Sequence, residues 1–385
     1  MAKKPFVPSA SLDWLDAAAA ARARAGLERT LRPRGTASSV LDLASNDYLG
    51  LSRHPEVLAG ARAGVDAWGA GATGSRLVTG TTEAHELLEA ELAAFLGHQS
   101  ALVFSSGYLA NLGAVVGLSG PGALIVSDGG AHASLIDACR LSRSRVVVTP
   151  RGDAAAVAAA LAQRSERRAL VLTDSVYSTD GVLAPVAELY AAAHENGAVL
   201  LVDEAHGLGV RGAGRGVVAE AGLAGREDLV VTVTLSKALG SQGGAVCGSL
   251  RLREHLLNTA RPFIFDTALA PAAVGAARAA LGVVRREPER VRRVHEAAQE
   301  LAAAAGAEAP GSAVVSVVLG EADRAADARD AAYARGVAVG CFRPPSVPEG
   351  TSRLRLTARA DLTPAELELA GNVLRDVTAQ RWEKR

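Results

Sequence analysis

Val230-Val-Thr-Val-Thr-Leu-Ser-Lys-Ala-Leu-Gly-Ser-Gln-Gly243 is a β-branched apolar run that reaches a lysine and then breaks into glycines. This lysine, Lys237, is unusual in the chain, because only four of the 41 basic residues are lysine and the other three are terminal: Lys3, Lys4 and Lys384. Arginine can supply a charge or a phosphate contact, whereas a Schiff base to an aldehyde needs a primary amine that loses its proton. We therefore interpret Lys237 as a lysine that binds a cofactor covalently. The alternative is a solvated surface lysine.

Apolar strands alternate with helical segments on both sides of this stretch. Runs this apolar, separated by helical spacers, are typical of a parallel sheet that helices cover on both faces. Ligands bind such sheets at the carboxyl ends of the strands. We therefore treat the polar residues that follow the strands as one group. The strands are predicted over residues 100–104, 123–127, 145–149, 169–173, 198–202 and 229–234, and the group is Asp174, Ser175, Ser178, Asp203, His206, Thr234 and Lys237.

The segment Ser105-Ser-Gly-Tyr-Leu-Ala-Asn111 follows the first of these strands and opens a helix. Small residues between a strand and a helix N-terminus are typical of an anion site, because free backbone N–H groups and the helix dipole point at the ligand. The N–H groups of Gly107 and Tyr108 are the predicted phosphate donors. The alternative is an ordinary connection between a strand and a helix.

Motifs of several other functional classes are incomplete. Asp203-Glu-Ala-His206 resembles a helicase Walker B motif, yet no GxxxxGKS or GxxxxGKT phosphate loop accompanies it. The two GxGxxG runs, at residues 69–74 and 207–212, lack the strand or the acidic residue of a dinucleotide site. The sequence contains no HExxH, no GxSxG and no paired Cys/His cluster, so metal hydrolysis and serine catalysis have no basis in it.

Composition excludes further classes of partner. Basic and acidic residues number 41 each, so the chain has no basic field for a nucleic acid or an anionic membrane. Cys139, Cys247 and Cys341 are far apart, which argues against a disulfide framework or a metal cage and fits a reducing compartment. The N-terminus shows no apolar signal region, and no apolar run is long enough to span a bilayer. We expect a cytoplasmic protein that acts on small molecules.

The pattern changes past residue 267, and the sequence predicts three units: an N-terminal helical arm (1–45), a large α/β domain (46–266) and a small C-terminal α+β domain (267–385). The small domain is predicted to contain a long Ala/Arg helix region to about residue 305, strands over 314–319, 336–342 and 353–357, and a final helix with a capping box at Thr363-Pro-Ala-Glu366. Arg353 and Arg355 share one strand face. One of them can clamp a carboxylate through two hydrogen bonds.

One cofactor accounts for these features together. Pyridoxal 5'-phosphate (PLP) needs a carboxylate at its pyridine nitrogen, N–H donors at its phosphate and a lysine at its aldehyde. Asp203, the turn at Gly107 and Lys237 meet these three needs. His132 and His206 follow other strands, and a histidine can stack on the ring face; the alternative for each is a satisfied core histidine. The sequence therefore predicts a PLP site.

Seven segments resemble the α-oxoamine synthases, which are PLP-dependent enzymes. They extend from the arm to the last strand: Ser45-Asn-Asp-Tyr-Leu-Gly-Leu51, Gly71-Ala-Thr-Gly-Ser-Arg76, Ser106-Gly-Tyr-Leu-Ala-Asn111, His132-Ala-Ser134, Asp203-Glu-Ala-His-Gly207, Thr234-Leu-Ser-Lys-Ala-Leu-Gly240 and Gly350-Thr-Ser-Arg-Leu-Arg-Leu-Thr357. The resemblance implies PLP-dependent fold type I, similar to aspartate aminotransferase. This fold has a large domain built on a mostly parallel sheet, an N-terminal arm and a small α+β domain.

The resemblance also implies roles for single residues. Lys237 would hold PLP, Asp203 would pair with its pyridinium, and His132 would stack on the ring, so these three are the implied catalytic residues. The other implied cofactor contacts are Ser178 and His206 at the ring and its 3-oxygen, and Gly107, Tyr108 and Thr234 at the phosphate. The implied substrate contacts are Asn46 and Arg353 at the amino-acid carboxylate, His132 above it, Thr357 near the product and Arg29, beside Glu28, at the acyl group.

Within the family, Cys341-Phe-Arg-Pro-Pro-Ser-Val-Pro348 most resembles the branch that joins L-alanine to a pimeloyl thioester, carried by CoA or an acyl carrier protein, in the biotin pathway. One alternative is a glycine-using relative that shares most motifs. Another is a non-catalytic partner subunit, against which the intact Lys237, Asp203 and His132 argue. Segments 69–76 and 261–267 are too apolar and too rich in small residues to face water, and the resemblance implies that they complete a homodimer interface.

Overall fold

The computed structural model of the protein describes residues 10–379. Residues 1–9 and 380–385, which include Lys3, Lys4 and Lys384, lie outside the described part. The strands are β1 Leu41–Leu43, β2 Ser100–Phe104, β3 Ala123–Asp128, β4 Arg145–Thr149, β5 Arg168–Asp174, β6 Val199–Asp203, β7 Leu229–Thr234, β8 Gly244–Gly248, β9 Val314–Gly320, β10 Val337–Phe342 and β11 Ser352–Thr357. The α-helices are α1 Trp14–Arg24, α2 Pro55–Trp68, α3 Glu83–Leu96, α4 Gly107–Leu118, α5 Ala133–Ser142, α6 Ala154–Ala162, α7 Val186–Glu195, α8 Val217–Glu220, α9 Leu250–Thr259, α10 Arg261–Ile264, α11 Pro271–Arg286, α12 Glu289–Ala305, α13 Ala322–Ala334 and α14 Pro364–Ala379.

The larger sheet has seven strands in the order β2-β8-β7-β6-β5-β3-β4. Strands β4, β3, β5, β6 and β7 run parallel to one another, and β8 lies antiparallel between β7 and β2. Each strand predicted in this region is present with bounds within one residue of the prediction. The mostly parallel sheet is therefore confirmed.

Neighbouring residues of the central strands enter two different hydrophobic clusters, one on each face of this sheet. Leu124 and Val126 belong to one cluster and Ile125 to the other. Leu200 and Leu201 divide in the same way. Since successive side chains point to opposite faces of a strand, helices bury both faces, and only the strand ends are left for a ligand.

Strand β8 was not predicted, because its sequence, Gly-Ala-Val-Cys-Gly, has too few β-branched residues to signal a strand. It is completely buried, and Ala245 pairs with both Val233 and Val103. Its first residue is close to α4, since a Cβ on Gly244 would lie 2.5 Å from the Cα of Gly107. The small residues of β8 therefore let the sheet approach the N-terminus of α4.

The smaller sheet has four strands in the order β1-β10-β11-β9. Strand β1 pairs in parallel with β10, while β11 is antiparallel to both β10 and β9. The predicted boundaries assign β1 to the N-terminal arm, yet its hydrogen bonds join it to the C-terminal sheet. The residues that directly follow β1, including Asn46, are thereby held next to β11.

The helix region predicted to about residue 305 is two helices, α11 and α12, which separate at Glu287 and Pro288. Helix α11 lies beyond the predicted boundary at residue 267, yet it packs against α2 and α3 of the preceding region. The crossing is close, since a Cβ on Gly275 would lie 2.1 Å from the carbonyl oxygen of Gly60. Glycine at both positions is therefore required for this contact.

The capping box of α14 is confirmed. Glu366 accepts from the Thr363 backbone N–H over 2.8 Å, and Thr363 Oγ1 accepts from the Glu366 N–H over 3.3 Å. Across residues 10–379, the structure contains no helix with both the length and the apolar character of a membrane span.

Candidate active site

The candidate site lies at the carboxyl edge of the larger sheet. Asp174 ends β5, Asp203 ends β6 and Thr234 ends β7. Asp174 and Asp203 are register partners on adjacent strands, so their side chains start next to each other. Lys237 follows three residues after β7. The edge that the sequence singled out therefore does gather these residues.

Lys237 has the properties of a reactive amine. Its Nζ lies 2.9 Å from Nε2 of His206. Burial lowers the pKa of Lys237 to about 8, an effect that the Asp203 carboxylate opposes and the Arg355 guanidinium strengthens. A sizeable fraction of the amine is consequently unprotonated near neutral pH, which is the form that attacks an aldehyde.

His206 connects this lysine to the segment after β1. Burial, together with the charges of Lys237 and Arg355, lowers the pKa of His206 well below its ordinary value, so the imidazole is neutral. Nδ1 of His206 forms a short contact with the Tyr48 hydroxyl, whose pKa burial raises to about 12. The ring is therefore fixed between a neutral phenol and the Lys237 amine.

Asp203 is held by donors from two directions. Its Oδ2 accepts from Asn111 Nδ2 over 2.7 Å, and its Oδ1 accepts from the backbone N–H of Ala205 over 2.8 Å. The neighbouring Asp174 is buried, and burial followed by the charge of Asp203 raises the pKa of Asp174 well above its ordinary value. Burial therefore favours the protonated form of Asp174, next to the hydrogen-bonded Asp203.

The predicted phosphate site is the first turn of α4. Its first helical hydrogen bond runs from the Ala110 N–H to the Ser106 carbonyl, so the N–H groups of Gly107 and Tyr108 precede the helical ladder. Thr234 borders the same turn, since a Cβ on Gly107 would lie 3.0 Å from the Thr234 Cβ. Two N–H donors, a helix dipole and a hydroxyl thus converge where an anion can bind.

His132 precedes α5 and caps it, and its side chain is exposed at the rim of the site. Partial desolvation lowers the pKa of His132, which favours the neutral imidazole. Ser178 is half-buried in the turn after β5. Both residues follow strands that end at the same sheet edge as β6, which ends at Asp203.

Strand β11 carries Arg353, the arginine predicted to meet the substrate carboxylate, and a second arginine, Arg355. Arg355, not Arg353, reaches Asn46, since both of its terminal nitrogens donate to Asn46 Oδ1 over 3.1 Å. Arg353 donates to the Thr351 carbonyl over 3.1 Å, and its Nη1 lies 3.8 Å from Asp180 Oδ2. The two arginines are two residues apart on β11, roughly 7 Å along the strand, so only one of them can lie beside Asn46.

Thr357 and Arg29 have very different surroundings. Thr357 is completely buried where β11 pairs with Val314 of β9, and its hydroxyl has no hydrogen-bond partner among residues 10–379. Arg29 is exposed in an irregular segment after α1. That segment is held to the loop after β10, since Arg343 Nη1 donates to the Gly26 carbonyl over 2.7 Å.

Three contributors to the site have no role in the prediction from sequence: Tyr48, Asn111 and Ser134. All three lie in the motifs quoted above. A signal for Asn111 existed, because it is four residues after Gly107 and therefore on the same face of α4. The carboxyl group of Asp174 was noticed, whereas its protonation state depends on burial beside Asp203 and cannot be seen in a sequence.

Comparisons with known proteins agree with this geometry. The family model described as aminotransferase class I and II matches residues 38–374. A relative named 8-amino-7-oxononanoate synthase, from Mycobacterium marinum, is 63% identical over 96% of this chain and 96% of its own. The relative of the same name from Mycobacterium avium is 64% identical over 96% of this chain and 97% of its own.

Among solved structures, a high-resolution structure of serine palmitoyltransferase with a PLP internal aldimine superposes with a TM-score of 0.88. It is 30% identical and covers 95% of this chain and 97% of its own. The expected fold type, similar to aspartate aminotransferase, is confirmed by the family match and by this likeness. The chain belongs to the aminotransferase class I and II family.

Proposed function

We propose that this chain catalyses the decarboxylative condensation of L-alanine with a pimeloyl thioester. The products are 8-amino-7-oxononanoate, CO2 and a free thiol, and the reaction belongs to biotin biosynthesis. The observation that carries this proposal is the near-full-length identity of 63% and 64% with relatives that bear the name of this activity. The cofactor is PLP.

The residues at the carboxyl edge fit PLP. PLP would supply an electron sink for the bond that breaks at the substrate Cα. Lys237 would hold its aldehyde, and the Asp203 carboxylate would pair with its pyridine nitrogen. The N–H groups of Gly107 and Tyr108 and the Thr234 hydroxyl would bind its phosphate, while His132, Ser178 and His206 would contact the ring.

Once the substrate amine has freed it, the Lys237 amine has a second role as the base that removes the Cα proton. A base works best when its pKa is close to the working pH, and the value of about 8 for Lys237 meets that condition. His206 Nε2, 2.9 Å from Nζ, holds the amine in place. The carbon–carbon bond then forms at the thioester carbonyl, the carbon–sulfur bond breaks, and the original carboxylate leaves as CO2.

Arg355 and Asn46 bind the L-alanine carboxylate. Arg355 is buried, and its Nε has no hydrogen-bond partner among residues 10–379, so this cation retains donor capacity. Charge-assisted bonds from a guanidinium to a carboxylate are short and directional. They orient the Cα–H bond toward Lys237. Arg29 is the candidate for the acyl group, which CoA or an acyl carrier protein delivers.

The functional unit is a homodimer. Segments 69–76 and 261–267 contact each other, since Ser75 and Thr267 form an antiparallel bridge. Phe265 in the second segment is 68% exposed, and a partner subunit would cover such an apolar side chain. Sedimentation at working concentration should give a dimer; an active monomer would contradict the assembly. The free cysteines of the described chain fit a cytoplasmic location.

The proposed reaction is tested by measuring thiol release for a grid of amino acids and acyl thioesters with the PLP-loaded protein. L-Alanine with pimeloyl-CoA or pimeloyl acyl carrier protein should give the highest rate, and mass spectrometry should find 8-amino-7-oxononanoate. The matched control is Lys237→Ala, which should release no thiol above background. A preference for glycine and a shorter acyl group would assign the chain to another α-oxoamine synthase. No release with any pair would indicate a non-catalytic subunit.

A further inference from the structure

A continuous chain of hydrogen bonds links His132 to Asp203 through two buried side chains. Asn111 Nδ2 donates to Asp203 Oδ2 over 2.7 Å and to Ser134 Oγ over 2.8 Å. Ser134 Oγ lies 2.7 Å from His132 Nδ1. Asn111 is 3% exposed and Ser134 is completely buried, so water does not compete for these bonds. Each hydrogen bond in this series therefore has a fixed donor and a fixed acceptor.

The Asn111 amide can face only one way. The Asp203 carboxylate accepts hydrogen bonds and donates none, so the NH2 group of Asn111 must face it. On the other side, Thr232 Oγ1 donates to Asn111 Oδ1 over 2.6 Å. A flipped amide would place its oxygen against the carboxylate in a buried setting, which costs the desolvation of both groups. Both N–H bonds of the amide are thus committed, one to Asp203 and one to Ser134.

This orientation decides the direction of the next bond. Ser134 Oγ accepts from Asn111, and its single hydrogen is then available for His132 Nδ1. The Ser134 backbone N–H also points at His132 Nδ1, over 3.3 Å. Because two donors converge on Nδ1, that nitrogen carries a lone pair and no proton. A neutral imidazole must then hold its proton on Nε2.

We propose that Asn111 and Ser134 are positioning residues that set the tautomer of His132 from the charge of Asp203. The imidazole that would stack on the PLP ring and the carboxylate that would pair with its nitrogen are then parts of one hydrogen-bonded unit. The lowered pKa of His132 agrees with a neutral ring. The proposal rests on the proposed PLP chemistry for its purpose, but the tautomer itself is independent of the substrate.

The tautomer has a consequence for the reaction. With Nδ1 turned toward Ser134 as an acceptor, the one polar hydrogen that His132 offers to a ligand is on Nε2. His132 therefore acts as a hydrogen-bond donor to a substrate oxygen and cannot accept a proton from it at that atom. Asp203 secures this arrangement because its negative charge holds the Asn111 amide in place.

The test is nitrogen NMR of the PLP-loaded full chain labelled with 15N-histidine, recorded in the solid state so that size is no obstacle. A His132→Gln spectrum identifies the His132 signals among the eight histidines. The wild-type protein should show His132 with a bare Nδ1 and a protonated Nε2. A protonated Nδ1 in the wild-type protein would overturn the proposal without any further variant.

Two variants test the series of hydrogen bonds from Asp203 to His132. In Asn111→Leu, which preserves side-chain size, the Ser134 hydroxyl loses its donor and can turn to accept from Nδ1–H, so a signal from protonated Nδ1 should appear. Ser134→Ala removes the hydroxyl but keeps the backbone N–H that also points at Nδ1, so it should produce the same signal at lower intensity. Ser142→Ala is the matched control, because Ser142 is buried in the same helix but donates to the Cys139 carbonyl over 2.7 Å. It should leave the His132 signals unchanged.

The outcomes are separable from those of the proposed function. An unchanged His132 spectrum in both Asn111→Leu and Ser134→Ala would overturn the coupling even if the enzyme used L-alanine as expected. Should Asn111→Leu fail to fold, the Ser134→Ala and wild-type spectra decide the matter. A correct tautomer response in a protein that releases no thiol would uphold the coupling and reject only the proposed reaction.

Discussion

The sequence predicts which residues meet at the carboxyl edge of the seven-stranded sheet. It does not predict which arginine of β11, in the four-stranded sheet, contacts Asn46. At the sheet edge, Asp203 ends β6, Thr234 ends β7 and Lys237 comes three residues after β7, and the structure brings them together as expected. On β11, the implied substrate arginine was Arg353, whereas Arg355 is the residue that contacts Asn46.

The two regions differ in which contacts determine the positions of their residues. A parallel sheet aligns the ends of its strands, so a residue that follows a strand is located by that strand alone. The position of Arg355 depends on Asn46, which is 309 residues away in sequence. Strand β1 must first pair with β10, and β10 with β11, before these two side chains meet. A contact that needs two long-range pairings has no local signal.

The largest expected effect is at the sheet edge. Lys237→Ala removes the amine that binds PLP and the base at Cα, so kcat should fall by more than about 10⁴-fold. The folded protein should lack the visible absorption of covalently bound PLP, while circular dichroism should match the wild type. Borohydride reduction of the wild-type protein followed by peptide mapping should label Lys237. A label on Lys3, Lys4 or Lys384 instead would refute the assignment.

A smaller effect is expected on β11, where the two arginines provide a matched pair. Arg355→Lys retains the charge but not the planar two-point geometry, and such a loss is worth about 1.5–3 kcal/mol. The kcat/KM for L-alanine should therefore fall about tenfold to a hundredfold, with a smaller change in KM for the thioester. Arg353→Lys is the control and should stay within about threefold, because an ion pair at 3.8 Å contributes little. The reverse ranking would restore Arg353 to the site.

Most of the fold, and the part of the site expected to bind the cofactor, could be predicted from the sequence. The strands around Lys237 are long, apolar and evenly spaced, and their pattern determines a parallel sheet. Strand β8 was not predicted because Gly244 and Ala245 have low strand propensity. Their small size instead allows α4 to approach the sheet closely. The break between α11 and α12 has a Pro288 signal that the abundance of alanine and arginine on either side obscured.

The residues expected at the substrate were harder to predict from the sequence, for physical reasons that differ between residues. Thr357 lies in a motif that does resemble the family, and it is completely buried with no hydrogen-bond partner for its hydroxyl among residues 10–379. Asn111 is a polar residue inside an apolar helix, and its function appears only when Asp203, Ser134 and Thr232 surround it. Such hydrogen-bond partners come from different strands and helices, so spacing along the chain does not reveal them.

The smallest expected effect tests whether the two regions act as one electrostatic site. The pKa of Lys237, about 8, is raised by Asp203 from the sheet edge and lowered by Arg355 from β11. Asp203→Asn removes a negative charge, so the Lys237 ammonium loses support and its pKa should fall. Arg355→Gln removes a positive charge and should raise it. Shifts of roughly one pH unit are expected for neighbouring charges of this kind.

The measurement is reductive methylation of the cofactor-free full chain with formaldehyde at a series of pH values, followed by mass spectrometry of the Lys237 peptide. Only the unprotonated amine reacts, so the pH midpoint reports the pKa of Lys237. A short lysine peptide added to each sample should titrate near about 10.4 and corrects for reagent behaviour. Lys237 labelling should rise through pH 8 in the wild type, at lower pH in Asp203→Asn and at higher pH in Arg355→Gln. If the two variants moved the midpoint in the same direction, Arg355 would not share the field of the sheet edge. Its place beside Asn46 would then have no bearing on the amine that performs the chemistry.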